Sequence, residues 1–361
     1  MNFNKHTTEE NIPPERTEKK VKMITVILAF AIIAMIYIIT IGVLIWFFGF
    51  SKSDVVRKTA AIVPYPAAIV GTNVITFNKL MTELDAARQF YQGQNFSALG
   101  LQVDFSTPDG QKKIEIKKRE ILEKLIENAV IENEAKKRGI TLSSADVNQE
   151  VNTELQKYGS EDNLKNTMQK LYGWNISQFE ENIVKPDLYA QKLFADIEAS
   201  DPSYAAAKAK ITQAQDQLNN NADFSTVADQ FSDGATAKNG GELGWFGADQ
   251  MLPEVSAVIT KMKVGSQSEI IQSSIGYHIV RLEDEKTENN VSMYKVSQIF
   301  VRTKSFSDWI ADLEKQDKIW IPIREFEWSN QTDQVEFRDP AMQDLENNLI
   351  KNSPDDPSVI F

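Results

Sequence analysis

The chain has 361 residues, enough at ~100–200 residues per domain for two or three folded units, and its 42% hydrophobic and 25% charged content excludes wholesale disorder and fibrous classes. A net charge of −12, from 51 acidic against 39 basic residues, argues against a nucleic acid held by general electrostatics, because phosphate binding needs a basic face. With no cysteine and only His6 and His278, the chain has no thiolate metal site, disulfide or cysteine nucleophile, and neither a metal nor a cofactor is expected.

From Met23 to Phe50 no residue is charged. At ~1.5 Å per residue this run exceeds the ~30 Å hydrocarbon core of a bilayer, and Trp46, Phe47 and Phe48 stand where a signal peptide would need small residues for cleavage. Residues 23–50 are therefore expected to be an uncleaved transmembrane helix. Residues 1–22 are polar, carry Pro13-Pro14 and read as a disordered cytosolic tail. Arg16, Lys19, Lys20 and Lys22 precede the span and Lys52, Arg57 and Lys58 follow it, a small bias toward an inside N-terminus that leaves the bulk of the chain extracytoplasmic.

After Pro64 and Pro66, a β-branched strand is predicted to reach Ile75, followed by a helix that Thr76 caps. Between Gln111 and Arg138 the apolar residues Ile114, Ile121, Leu122, Leu125, Ile126, Ala129 and Val130 recur at helical spacing, and Gly139 is a C-cap. Ser143 or Ser144, Ser160 and Ser177 open three more helices, with Gly159 and Gly173 closing two of them. Together these form a helical module at 61–200.

Asp201-Pro202 breaks the last of these helices and starts a domain at 201–330. Its predicted elements are a helix over Ser203–Leu218, two short helices, a glycine-rich passage, a helix after Pro253, and strands at Ser268–Gln272, Tyr277–Leu282, Tyr294–Val301 and Ile319–Trp328. Pro322 would make the last an edge strand. Gly240, Gly241, Gly244 and Gly247 fit neither a P-loop nor a dinucleotide fingerprint. Residues 331–361, acidic and ending in SPDDPSVIF, read as a disordered tail. The fold class is α+β, with a membrane-anchor helix, a helical module and an antiparallel four-stranded sheet.

The run LEKLIENAVIENEAKKRGITLSSADVNQEV, with AAIVGTNVIT before it and YGSEDNLKNTMQKLYGWNISQFEENI after it, resembles the N-terminal chaperone module of SurA and PrsA type foldases. The stretch Ala222–Leu282, carried by QFSDGATAKNGGELGWF, GADQMLPEV and IGYHIVRL, resembles a parvulin-type peptidyl-prolyl isomerase domain. The resemblance implies a foldase acting on unfolded or proline-containing polypeptide clients without a cofactor. It places Met251 in the slot for the proline ring and His278 near the rotating amide. It also points to Val255 at a slot position usually held by phenylalanine, and to Gly234 where a cysteine or aspartate is usual, with Asp233 beside it as the substitute. Trp245 and Phe246 are expected as substrate contacts or core aromatics.

Parvulin-type domains open with a central strand carrying a His-Ile-Leu motif, which is missing before the Ser203 helix. MYKVSQIFVRTKSFSDW resembles that strand, with Gln298 in the histidine's place, so a circularly permuted sheet completed by residues 294–302 is expected; an unrelated edge strand is the alternative. Two rival readings stand beside the enzyme: a holdase whose isomerase-like domain has lost activity, consistent with Val255, Gly234 and Gln298, and an envelope scaffold supported by the anchor alone.

Overall fold

The computed structural model describes residues 14–48, 53–93, 104–288 and 291–352, which fall into two units, Met1–Ile126 with Ile319–Phe361 and Glu127–Lys318. The chain starts with helix α1 (Pro14–Phe48). Its segment Thr25–Phe47 is long and apolar enough to cross a membrane. The helix begins well before Met23, which corrects the expectation of a disordered stretch through residue 22: Pro14 suits the first helical position, and the residues that follow are mostly good helix formers. Residues 1–13 and 49–50 lie outside the described residues.

In the first unit, α2 (Asp54–Ala60) leads into strands β1 (Pro66–Val70) and β2 (Asn73–Thr76), then helices α3 (Phe77–Gly93) and α4 (Pro108–Lys137), which belongs to the other unit from Glu127 on. The expected single strand is thus a hairpin, turning at Gly71, where φ is +58°. Thr76 Oγ1 accepts from the amide of Lys79 at 3.1 Å, the cap its position promised.

Helices α5 (Ser144–Tyr158), α6 (Glu161–Tyr172), α7 (Ile176–Phe179) and α8 (Lys185–Ser200) follow in the second unit, α7 and α8 joined through a π-helical stretch at Glu180–Val184. Ser143 forms a capping box with Asp146, Ser160 caps α6, and Asn175 caps α7 in place of the expected Ser177. Asn175 wins because Gln178, three residues on, returns a bond to its amide.

Asp201 then caps α9 (Pro202–Asn219), and α10 (Phe224–Phe231), β3 (Glu242–Gly247), α11 (Pro253–Ile259), β4 (Ile271–Ser273), β5 (Gly276–Glu288) and β6 (Val291–Arg302) complete an antiparallel sheet of order β3-β6-β5-β4. Strand β6, last in sequence, thus lies inside the sheet and pairs with both β3 and β5. Period-two alternation divides its side chains. Ile299 and Val301 join Tyr277 and Ile279 under α9 and α10, packing on Ile211, Val227 and Phe231. On the other face Tyr294 and Val296 join Val280 and Leu282 under α11.

Helix α12 (Phe306–Glu314) closes this unit, and the chain returns to the first as β7 (Ile319–Trp320), β8 (Phe326–Ser329), β9 (Gln334–Phe337) and α13 (Pro340–Asn352). Two expectations are corrected here. The strand expected over Ile319–Trp328 is only two residues long at its start, and it pairs with β1 at Ile69 and Val70 instead of extending the isomerase-like domain. The expected disordered tail is folded as far as Asn352, because polar and acidic residues alternate with a few well-placed apolar ones: Val335 and Phe337 are buried, and Glu346 meets Arg119 at 2.6 Å. The helical module is therefore not closed by residues 61–200, nor the following domain by 201–330. Residues 353–361 lie outside the described residues.

Candidate functional site

The second face of the β3-β6-β5-β4 sheet carries the polar group nearest to chemistry. His278 and Phe300 stand opposite each other in the β5–β6 register, and their rings stack at 4.8 Å with 21° between planes. Gln298 pairs with Val280 two residues along, which puts its side chain on the same face as His278. Its backbone is held from the other side, the amide donating to Gly241 O at 2.9 Å. Gly241 has φ +79°, and a Cβ there would stand 2.4 Å from the carbonyl oxygen of Gln298. The Gly-Gly pair thus lets the turn before β3 press against β6 at this residue.

His278 is 1% exposed. Its Nε2 lies 2.7 Å from Ser273 Oγ, whose hydroxyl also donates to Gly276 O and accepts from the Ile275 amide. Ser273 thus ties the imidazole to the turn between β4 and β5. Nδ1 makes no hydrogen bond among the described residues, and Gln298 lies beside the ring on the same sheet face. Burial pushes the imidazole below its ordinary value, with Gln298 and, more weakly, Glu254 pulling upward without overcoming it. The ring is held neutral.

A pH dependence follows. Below the ordinary histidine value of ~6.5 the unfolded chain binds a proton that folded His278 refuses, so the second unit should lose stability as pH falls through that value and level off below the depressed folded pKa. Denaturant unfolding of the wild type and of His278→Gln at pH 7.5 and pH 5.5 measures this. The variant should show a smaller drop; an equal drop in both would contradict the burial argument.

The apolar residues divide. Met251 and Leu252, both half-buried, pack on the cluster that includes Val280 and Val296, the neighbours of Gln298 on this face. Phe246 pairs with Tyr294 and so joins them, whereas Trp245 pairs with Lys295, points to the opposite face and is covered by the Lys286 ammonium at 4.7 Å. Val255 is buried in the core beneath Met251. Gly234 sits 3.9 Å, measured from an added Cβ, from Phe300 Cβ.

Asp233 is occupied elsewhere. Its carboxylate accepts from Lys210 Nζ and from the Arg302 amide at 3.0 Å, and its own amide donates to Phe300 O. Partial burial pushes the carboxyl up, but these bonds outweigh it and hold the group below the usual carboxylate range. The residue pins α9 to the end of β6. The structure thus places His278 and Gln298 on the sheet face that Met251 and Val255 pack on, leaves Phe246 farther along that face beside Tyr294, and separates Asp233 and Trp245 from it. Ser273 and Phe300, which position the imidazole, escaped sequence reasoning; Phe300 was discoverable once β6 was placed beside β5, but Ser273 carries no signal of its own.

Comparison with known proteins gives two adjoining matches, the SurA-like N-terminal domain over residues 16–194 and the PPIC-type PPIASE domain over residues 192–284. The second stops just before β6. Chaperone SurA of Nitrosococcus oceani is 38% identical over 100 residues, 28% of this chain and 24% of that protein. Foldase protein PrsA of a Geobacillus species is 27% identical over 246 residues, 63% of this chain and 82% of that protein. The crystal structure of the peptidylprolyl isomerase PrsA from Bacillus cereus aligns over 70% of this chain and 90% of its own, at 21% identity and a TM-score of 0.21. The chain spans less than a third of the length of the SurA chaperones it matches, 19% for that of Hydrogenovibrio crunogenus.

Proposed function

From the premise that the chain joins a SurA-like N-terminal domain to a PPIC-type peptidyl-prolyl isomerase domain, we propose that it is a membrane-anchored foldase that isomerises X-Pro bonds in unfolded or newly translocated polypeptides. Helix α1 is its single transmembrane span, with the N-terminus cytoplasmic and the bulk of the chain outside.

Rotation about an X-Pro bond meets an uncatalysed barrier of ~18–20 kcal/mol, and each ~1.36 kcal/mol removed is a tenfold gain. No net proton transfer is needed. What is needed is a place to hold the proline ring and polar groups that favour the twisted amide over the planar one. Met251 and Leu252 form the apolar wall. Gln298 is the half-buried polar group beside it, able to donate to the carbonyl and accept from a neighbouring amide. His278 is too deeply buried to touch the client and stands beside Gln298 on the same sheet face. The observation that carries this reading is the shared sheet face of Met251, Gln298 and His278.

Proline-limited refolding of a client by the full chain is the test. Met251→Ala should lower kcat/KM about tenfold, ~1.4 kcal/mol, while costing less stability than truncating a fully buried methionine, ~2–5 kcal/mol. Equal activity in wild type and variant would remove Met251 from the site. A wild-type chain with no isomerase activity would overturn the enzyme reading in favour of the holdase, which one observation supports: at two altered family positions, Gly234 and Val255, and at Asp233 beside the first, no free polar or slot-lining side chain stands at the site.

A further inference from the structure

The first unit grips α1 well below its end. Tyr65 Oη donates to the carbonyl of Ile38 at 2.7 Å, the hydroxyls of Tyr37 and Thr59 meet at 2.8 Å, and Trp46 Nε1 donates to Pro66 O at 3.1 Å. Ile41 and Ile45 are buried, at 4% and 1% exposure, and Gly42 leaves room for the Tyr65 ring, since a Cβ there would come within 3.3 Å of it. Helix α2 therefore runs back alongside α1, and the turn Ala61–Tyr65 ends near the level of Ile38.

That level can be placed against a bilayer. A hydrocarbon core of ~30 Å takes ~20 helical residues, and Lys22 bounds the charge-free run on the cytoplasmic side. Even with the core shifted as far toward Lys22 as the charge permits, its outer boundary falls near Gly42, and Ile38 lies ~6 Å inside it. The turn is built for such a place. Ile62 is 85% exposed, no residue from Ala61 to Tyr65 is charged, and Val55 on α2 is also exposed.

The turn's backbone donors are satisfied internally as well. The amides of Ala61, Ile62, Val63 and Tyr65 bond to Arg57 O, Thr59 O, Thr59 O and Val63 O, and Pro64 has none to satisfy. Exposed Lys58, one turn before Ile62, is positioned for the headgroup region. Continuity with the spanning helix thus names the occupant of this apolar tip: we infer that the turn Ala61–Tyr65 inserts into the outer leaflet and holds the first unit against the membrane surface. The inference rests on the reading of α1 as a transmembrane helix.

Because the chain has no cysteine, single cysteines can report depth directly. Ile33→Cys at mid-span, Ile62→Cys at the turn and Lys238→Cys on the isomerase domain would each carry an environment-sensitive fluorophore. The full chain is reconstituted in phosphatidylcholine–phosphatidylglycerol vesicles containing nitroxide lipids labelled near the headgroup or near the chain end. The Ile62 probe should be blue-shifted and quenched several-fold more by the shallow nitroxide, the Ile33 probe more by the deep one, and the Lys238 probe by neither. Quenching at Ile33 with none at Ile62 overturns the inserted turn and leaves the spanning helix standing. No quenching at Ile33 overturns the spanning reading, and this inference with it. An Ile62 probe that is blue-shifted yet unquenched marks a protein surface, such as a second copy, and also overturns it.

Discussion

A chain ended at Lys318 is expected to lose the fold of its first unit. The segment removed supplies the partners of two cations on α4. Lys118, 1% exposed, donates to Glu325 at 3.0 Å and lies over the Phe326 ring. Arg119 donates to Glu346 at 2.6 Å and to the carbonyl of Val335 at 3.0 Å. Removing one partner of a buried pair costs about 3–5 kcal/mol. Here two pairs are broken, although Glu115 and Glu123 remain near the cations and soften the loss. Buried Ile321, Ile323, Phe326, Val335 and Phe337 leave as well, at ~1.5–3 kcal/mol for each large apolar side chain. Against a whole-domain stability of ~5–15 kcal/mol the sum is decisive.

Limited proteolysis should cut α3 and the first half of α4 in the truncated chain and spare them in the full one. Matching digestion patterns would show that residues 319–352 are dispensable. One consequence concerns chaperone assays. A fragment of residues 61–200 lacks these partners, so failure of that fragment to suppress client aggregation would say nothing against a holdase role proposed for the intact module.

Ile299→Asp is expected to abolish the fold of the second unit and, with it, the isomerase activity proposed above. Ile299 is fully buried under α9 and α10 in a strand bonded on both sides, so neither water nor a cation can reach an introduced carboxylate. Such a substitution belongs to the class costing more than about 4–5 kcal/mol. Ser292→Asp, at the exposed start of the same strand, should stay within about 0.5 kcal/mol of wild type. Near-UV circular dichroism and the refolding assay on both variants separate the outcomes, and a cooperative melt retained by Ile299→Asp would contradict the interior position of β6.

Local chemistry in the sequence was enough for much of this protein. The charge-free run, the capping serines at 143 and 160, the closing glycines at 159 and 173 and the Asp201-Pro202 break each act within a few residues, so propensity and capping determine them without help from the rest of the chain. Period-two alternation also settled the faces of β6 once it was recognised as a strand, which is why Gln298 could be expected near His278.

What lay beyond the sequence depends on partners distant along the chain. Asp233 looks like a catalytic substitute until Lys210 and the Arg302 amide are seen to occupy it. Residues 331–352 read as disordered because their own apolar content cannot offset the entropy of ordering; they fold because Arg119 on α4 binds Glu346 and the carbonyl of Val335, and Phe337 packs against the ring of Phe326. Composition and spacing determined the charge-free run and the helices, and the family resemblance pointed to the face that carries His278. Only the tertiary structure decided that the chain's end completes its beginning, because a buried ion pair between residues 207 positions apart leaves no trace in any local pattern.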